Sequence, residues 1–326
     1  MTTAAANYLD PQTLAAVGSL ELRARLIVEG LMTGMHRSPY QGFSVEFAQH
    51  RQYAPGDDIR HLDWKVFGRT DKLYLKQYQK ETNLDFVVLV DSSGSMAYSS
   101  LGGAGRPPGS GAWRKYDHAA SLAAAMAYLA LRQQDRVGLA LFSEHSRFAT
   151  RLSNSHDHWR GMVEALAGET LQPPASAAST DAPAARTTNL SRVFDELLAK
   201  LRQRSLIVLI SDLFDDPAAI ERGLARLYHQ RHDLIILQTL DPAELTFPFR
   251  GPSDFIGMEA EGRIGLDPQG LRREYLDALR RHNSAIEQSA RRFQFDFLSV
   301  DTGQPLGAPL SHFLARRAAQ VGRMRT

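Results

Sequence analysis

No position of the sequence is a cysteine, which removes disulfides, thiolate metal sites and a cysteine nucleophile together and fits a reducing compartment. An excess of one charge sign is also missing. Thirty-eight basic residues stand against 36 acidic ones, a formal charge of +2, far from the basic balance of a dedicated nucleic-acid binder. Long apolar runs are lacking as well: the longest, residues 119–131, contains Ser121 and falls short of the roughly 20 residues that span a bilayer. Residues 1–11 carry no basic segment and are broken by Asp10 and Pro11, so they do not read as a signal peptide. No transmembrane segment is expected, and the expected compartment is cytoplasmic. The 11 histidines show no His-Glu-x-x-His spacing, which leaves a zinc hydrolase without support.

What is present is a chain of 326 residues, 43% of them hydrophobic, enough for one large α/β core with a smaller satellite. Residues 12–35 place Leu14, Val17, Leu22, Leu26, Ile27 and Leu31 at helical spacing. Around 43–47 and 73–75, alternating or aromatic-rich stretches flank the turn former Pro55-Gly56-Asp57, predicting a small β subdomain. Short apolar runs then alternate with helical patterns, as in a parallel sheet covered on both faces. Strands are predicted at 86–90, 137–142, 206–210, 234–238 and 295–300, with an antiparallel edge strand at 147–152. Helices are predicted near 116–133, 156–167, 190–202, 217–230 and 271–292, and a hairpin at 254–258 and 263–266. The fold class is therefore α/β, a doubly wound, mostly parallel sheet with a small β subdomain. The expected organisation is an N-terminal helix and small subdomain (1–83), the α/β core (84–242), a hairpin joining the small subdomain (243–269), and the last helix, strand and terminal helix (270–326).

The run 86–90 leads directly into Asp91-Ser92-Ser93-Gly94-Ser95-Met96. One carboxylate and alternate hydroxyls thus fall at the carboxyl end of a central strand, the edge where open α/β sheets bind ligands. Asp91, Ser93 and Ser95 offer only oxygen, which hard cations prefer. Thr188, in Thr187-Thr188-Asn189 at a helix start, and Asp212, directly after the run 206–210, fall where a second and a third loop would reach the same ion. Singly, each of these residues is an ordinary helix cap or turn former; together they predict a metal site.

This pattern resembles the von Willebrand factor A family, whose metal-ion-dependent adhesion site combines an Asp-x-Ser-x-Ser loop with a later Thr and a later Asp. The resemblance implies metal residues Asp91, Ser93, Ser95, Thr188 and Asp212, with the hydroxyls at or near the ion and the aspartates acting partly through water. It also implies Mg²⁺ as cofactor, Mn²⁺ or Ca²⁺ being other oxygen-binding ions. Leu213 stands where many members have Gly. Further motifs cover nearly the whole chain: Gly42-Phe43-Ser44-Val45-Glu46-Phe47, Arg51-Gln52-Tyr53, Gly56-Asp57-Asp58-Ile59-Arg60, Asp63-Trp64, Glu81 and Asp241-Pro242-Ala243-Glu244-Leu245. These look like the domain of unknown function 58 family. That resemblance implies a MoxR-type AAA+ ATPase as partner.

The expected function is therefore a metal-dependent protein-binding adaptor, working in assembly or chaperone-like processes through an acidic residue of its partner, and not an enzyme. Two rivals stand beside it. One is a Mg²⁺-dependent phosphatase or phosphotransferase with Asp91 as nucleophile, against which no lysine is clearly placed to hold a phosphate. The other is a metal-free scaffold.

Overall fold

Unbroken apolar runs build the centre of the molecule because a strand buried on both faces has no polar side to present. In the computed structural model, which describes residues 9–35, 50–53, 64–76, 84–101, 113–143, 146–171, 190–201, 203–258 and 262–324, every residue of β3 (Asp85–Asp91), β6 (Ser205–Ser211) and β7 (Asp233–Leu240) is buried. With β4 (Arg136–Phe142), β5 (Ser146–Ala149) and β10 (Asp296–Asp301) they form one six-stranded sheet in the order β10-β7-β6-β3-β4-β5. β5 runs antiparallel to β4 at one edge, and the other pairs are parallel. The chain leaves β3 towards β4 and β5, then returns to the other side of β3 for β6. The strand order therefore reverses between β3 and β6, and their carboxyl ends flank the crevice where such sheets bind ligands.

Helices cover both faces. α4 (Lys115–Arg132) is buried almost all round, as a helix lying centrally on a sheet must be. α5 (His156–Gly168) starts at Ser155, whose hydroxyl accepts from the His158 N–H, and seats the fully buried Trp159, its indole N–H donating to the Ala124 carbonyl at 3.0 Å. The opposite face, carrying Val87, Leu89, Ile207 and Leu209, packs against α6 (Leu190–Leu198), α7 (Pro217–His229) and α9 (Pro268–Arg292). α6 and α7 approach so closely that a Cβ at Gly223 would lie 2.4 Å from the Phe194 ring. α9 begins earlier than its apolar pattern does, because Asp267 caps the Gln269 N–H and Pro268 occupies the first turn. α10 (Gly307–Met324) returns to the sheet, where Phe313 packs on Phe86 at 4.9 Å and Arg317 pairs with the buried Asp135.

The single helix expected at 12–35 is two: α1 (Pro11–Ala15), capped by Asp10, and α2 (Leu20–Met35). Gly18 and Ser19 break the pattern, and the Ser19 hydroxyl accepts from the Leu22 N–H. Residues 1–34 group with 84–326 in one compact unit, where Leu14 and Ile27 are buried and Arg23 lies over the Trp113 ring at 5.4 Å. The hairpin of β8 (Ser253–Ile256) and β9 (Arg263–Leu266) forms where expected but belongs to this larger unit. The physical reason is aromatic: Phe255 stacks on Phe247 at 5.8 Å, and Phe247 stacks on Tyr275 of α9. The smaller unit, residues 35–83, pairs β1 (His50–Gln52) antiparallel with β2 (Tyr74–Lys76) and contains α3 (Trp64–Thr70), in which Trp64 meets Phe67 edge-on. The strand expected at 43–47 and the turn at 55–57 lie outside the described residues. Among the described residues no helix is long and apolar enough to cross a membrane.

Candidate metal centre

Asp91 ends β3 with both carboxylate oxygens engaged: one accepts from the Ser93 N–H at 2.9 Å, the other from the Ser211 hydroxyl at 2.5 Å. Register explains the second contact, because Val90 pairs with Ile210 and leaves Asp91 and Ser211 side by side at the edge. The loop then divides its serines. Ser92 turns to β4, donating to the Phe142 carbonyl, while the Ser93 and Ser95 hydroxyls meet at 3.0 Å. A 3-10 turn, Gly94–Ala97, fixes this arrangement through the buried Met96 and Ala97. Asp212 follows Ser211 and is 2% exposed. Asp91, Ser93, Ser95 and Asp212 thus lie on the two loops flanking the crevice; Thr188 lies outside the described residues.

The donor set suits a hard cation. In an octahedron with metal–oxygen bonds of about 2.1 Å, neighbouring ligands stand about 3.0 Å apart, and the two serine hydroxyls already have that spacing. Among the described residues no group of three or more His, Cys, Asp or Glu side chains could hold a metal.

The fold also brings one lysine to the site, a neighbour of Asp212 that the sequence pattern does not single out. Lys115, the first residue of α4, has no exposed surface. Its ammonium lies 2.9 Å from Asp212 and 2.7 Å from Glu244, and 5.1 Å from the centre of the Phe214 ring. Glu244 is fixed by a capping box at the start of α8 (Pro242–Thr246), accepting from the Asp241 N–H at 2.8 Å. Asp241 accepts from the Ser100 N–H at 2.8 Å and from the Ser100 hydroxyl. The Asp-Pro-Ala-Glu motif therefore reaches the Asp91 loop at one end and Lys115 at the other.

Burial makes charge costly here. It pushes the Asp91 carboxyl up to about 7, with the Asp212 charge acting the same way and the Ser211 and Ser93 hydrogen bonds acting against. Burial works against the Lys115 ammonium, but Asp212 and Glu244 outweigh it and hold the lysine above its usual value, so it stays charged. Tyr98 is pushed up to about 12 by burial and then by Asp241 and Glu244.

Leu213 adopts φ 60°, a left-handed conformation that costs a residue with a Cβ about 1–2 kcal/mol. Here the family pattern's Gly would fit without strain. The leucine holds the same turn because its side chain is 1% exposed within the core, its carbonyl lies 2.8 Å from His282 Nε2, and its N–H donates to Ser211.

Residues 49–285 match the family model described as "Protein of unknown function DUF58". Uncharacterized proteins of Mycobacterium tuberculosis and Mycobacterium bovis are 28% identical over 321 residues, covering 96% of this chain and 93% of theirs. Among solved structures, similar chains include the conserved hypothetical protein BatB from Bacteroides thetaiotaomicron, with 12% identity over 74% of this chain and 99% of that one and a TM-score of 0.43. Another is the VWA domain of SpRpn10, with 11% identity over 72% and 95% and a TM-score of 0.37.

Proposed function

We propose that this chain, which belongs to the DUF58 family, binds a partner protein through a divalent cation held by Ser93, Ser95, Asp91 and Asp212, with Thr188 the further ligand that the family resemblance implies. The observation that carries the reading is the pair of serine hydroxyls at 3.0 Å, on a loop that also ends β3 in Asp91 at the reversal of strand order. An ion held largely by neutral hydroxyls keeps positive charge, and a carboxylate from outside is the ligand that best completes its shell. The partner therefore offers an Asp or Glu. The partner class that the family resemblance implies, a MoxR-type AAA+ ATPase, is the first to try, and Mg²⁺ is the first ion.

Binding is favoured over catalysis by the state of the acids and of the lysine. A nucleophilic Asp91 needs room for a phosphate ester against its oxygen, whereas the residue is 1% exposed, an opening that suits a small ion or a water better than a substrate. Lys115 has no exposed surface and two of its three donors are taken by carboxylates, so a substrate phosphate has no path to it. The test is co-elution of the chain with a MoxR-type ATPase in Mg²⁺ and in EDTA. Association lost on chelation, and lost in Ser93→Ala/Ser95→Ala, supports the proposal. Association unchanged by EDTA refutes its metal dependence and points to a metal-free scaffold. Asp91-dependent hydrolysis of phosphate esters would replace it with the enzyme reading.

A further inference from the structure

We propose that Lys115 is a resident cation of this site: it neutralises the Asp212 side while no divalent ion is bound, and it weakens the binding of one. The inference rests on the metal-binding reading above. Asp91 and Asp212 are buried within range of each other's charge, Glu244 is only partly buried, its side chain 15% exposed, and a single ammonium touches Asp212 and Glu244. That ammonium cannot swing to solvent. Its backbone N–H donates to the Tyr98 carbonyl at 3.0 Å, its aliphatic chain is enclosed, and its outer partner Glu244 is locked by the Asp241 cap, which is in turn held by Ser100. Without such a charge, Asp212 would sit buried beside Asp91 with nothing to offset it, and such an arrangement is strongly unfavourable. With it, an arriving divalent ion meets a fixed like charge bonded to one of its own candidate ligands, and Coulomb repulsion at that range lowers its affinity. The Asp-Pro-Ala-Glu segment then has a task beyond capping α8, because Glu244 keeps Lys115 turned towards Asp212.

The experiment uses the full chain as wild type, as Lys115→Met, and as Lys115→Met with Glu244→Gln, which removes one charge of each sign and leaves an acceptor for the Asp241 N–H. Thermal melts in EDTA and in saturating MgCl₂ are paired with calorimetric titration of Mg²⁺. Lys115→Met should melt well below wild type in EDTA and gain more from Mg²⁺ than wild type does, because one cation replaces another. The double variant should bind Mg²⁺ several-fold more tightly than wild type, because the ammonium it loses is bonded to the candidate ligand Asp212 and the carboxylate it loses is farther from the ion, so the repulsion removed exceeds the attraction removed. A purely packing role for Lys115 predicts a loss that Mg²⁺ does not repair. Equal or smaller Mg²⁺ gains in Lys115→Met together with unchanged or weaker affinity in the double variant overturn the proposal, as does failure of both variants to fold even with Mg²⁺. If wild type binds no Mg²⁺, the metal-dependent reading fails. The lysine proposal then stands if either variant gains binding, and falls if neither does.

Discussion

Asp91 is held at a cost to stability, and Asp91→Asn should release it. In the metal-free fold its carboxyl is pushed up to about 7 from its usual 3.8, by burial and then by the Asp212 charge. A folded-state value above the unfolded one means the fold prefers the protonated acid. Stability from this group is therefore full below about pH 4 and is lost as pH rises through about 7. At pH 8 the ionised side chain costs on the order of 4 kcal/mol, at 1.36 kcal/mol for each pH unit separating the two values. Asparagine keeps the shape and removes the charge. It also deprives the Ser211 hydroxyl proton of its acceptor, a loss of about 1–3 kcal/mol. The net gain is about 1–3 kcal/mol, several degrees in Tm for a domain of this size. Melts in EDTA should show Asp91→Asn above wild type at pH 8 and level with it or slightly below at pH 5, where the native acid is already neutral. A lower Tm at pH 8, or the same shift at both pH values, would refute the electrostatic argument.

Three further outcomes follow from the same geometry. Because a proton and a cation compete for Asp91, Mg²⁺ affinity should rise about tenfold per pH unit below pH 7 and level off above it; isothermal titration at pH 5.5, 6.5 and 8 checks this. Leu213→Gly relieves about 1–2 kcal/mol of backbone strain but removes a buried leucine side chain, a change that costs roughly 3–5 kcal/mol. The net is a loss near 2 kcal/mol, measurable by urea unfolding, and a stabilised variant would show that the strain dominates. Gly223→Ala places a Cβ 2.4 Å from the buried Phe194 ring. The roughly 1 kcal/mol of helix propensity gained is outweighed by overpacking of about 1–3 kcal/mol, so its Tm should fall.

How far the sequence could be read depended on whether the deciding contacts are local. Runs such as 86–90 and 206–210 mark strands without ambiguity because both faces must be apolar, and the Asp91 loop shows its alternation of side chains directly. Gly262, at φ 93°, marks the hairpin turn. The departure at Leu213 was visible as a residue, though its left-handed backbone was not, since leucine has no local reason to adopt it. Lys115 was not legible as part of the site. A lysine opening a helix normally reads as solvated, and its partners lie 97 and 129 positions away. The Asp-Pro-Ala-Glu run was legible as a family motif and as a capping pattern, but only the fold shows that its glutamate reaches Lys115. α3 was missed because Asp63-Trp64 reads as turn chemistry, and the break in the N-terminal helix was missed although Gly18 and Ser19 signal it.

The most direct test of the central claim is calorimetric titration of Mg²⁺ into wild type and into Ser93→Ala/Ser95→Ala, a pair that changes no charge, with circular dichroism establishing that both are folded. The account predicts one ion bound by wild type and affinity lower by about tenfold or more in the variant, each lost hydroxyl ligand removing at least about 1 kcal/mol. Equal affinity in the two proteins, or no binding by wild type at millimolar Mg²⁺, would contradict it.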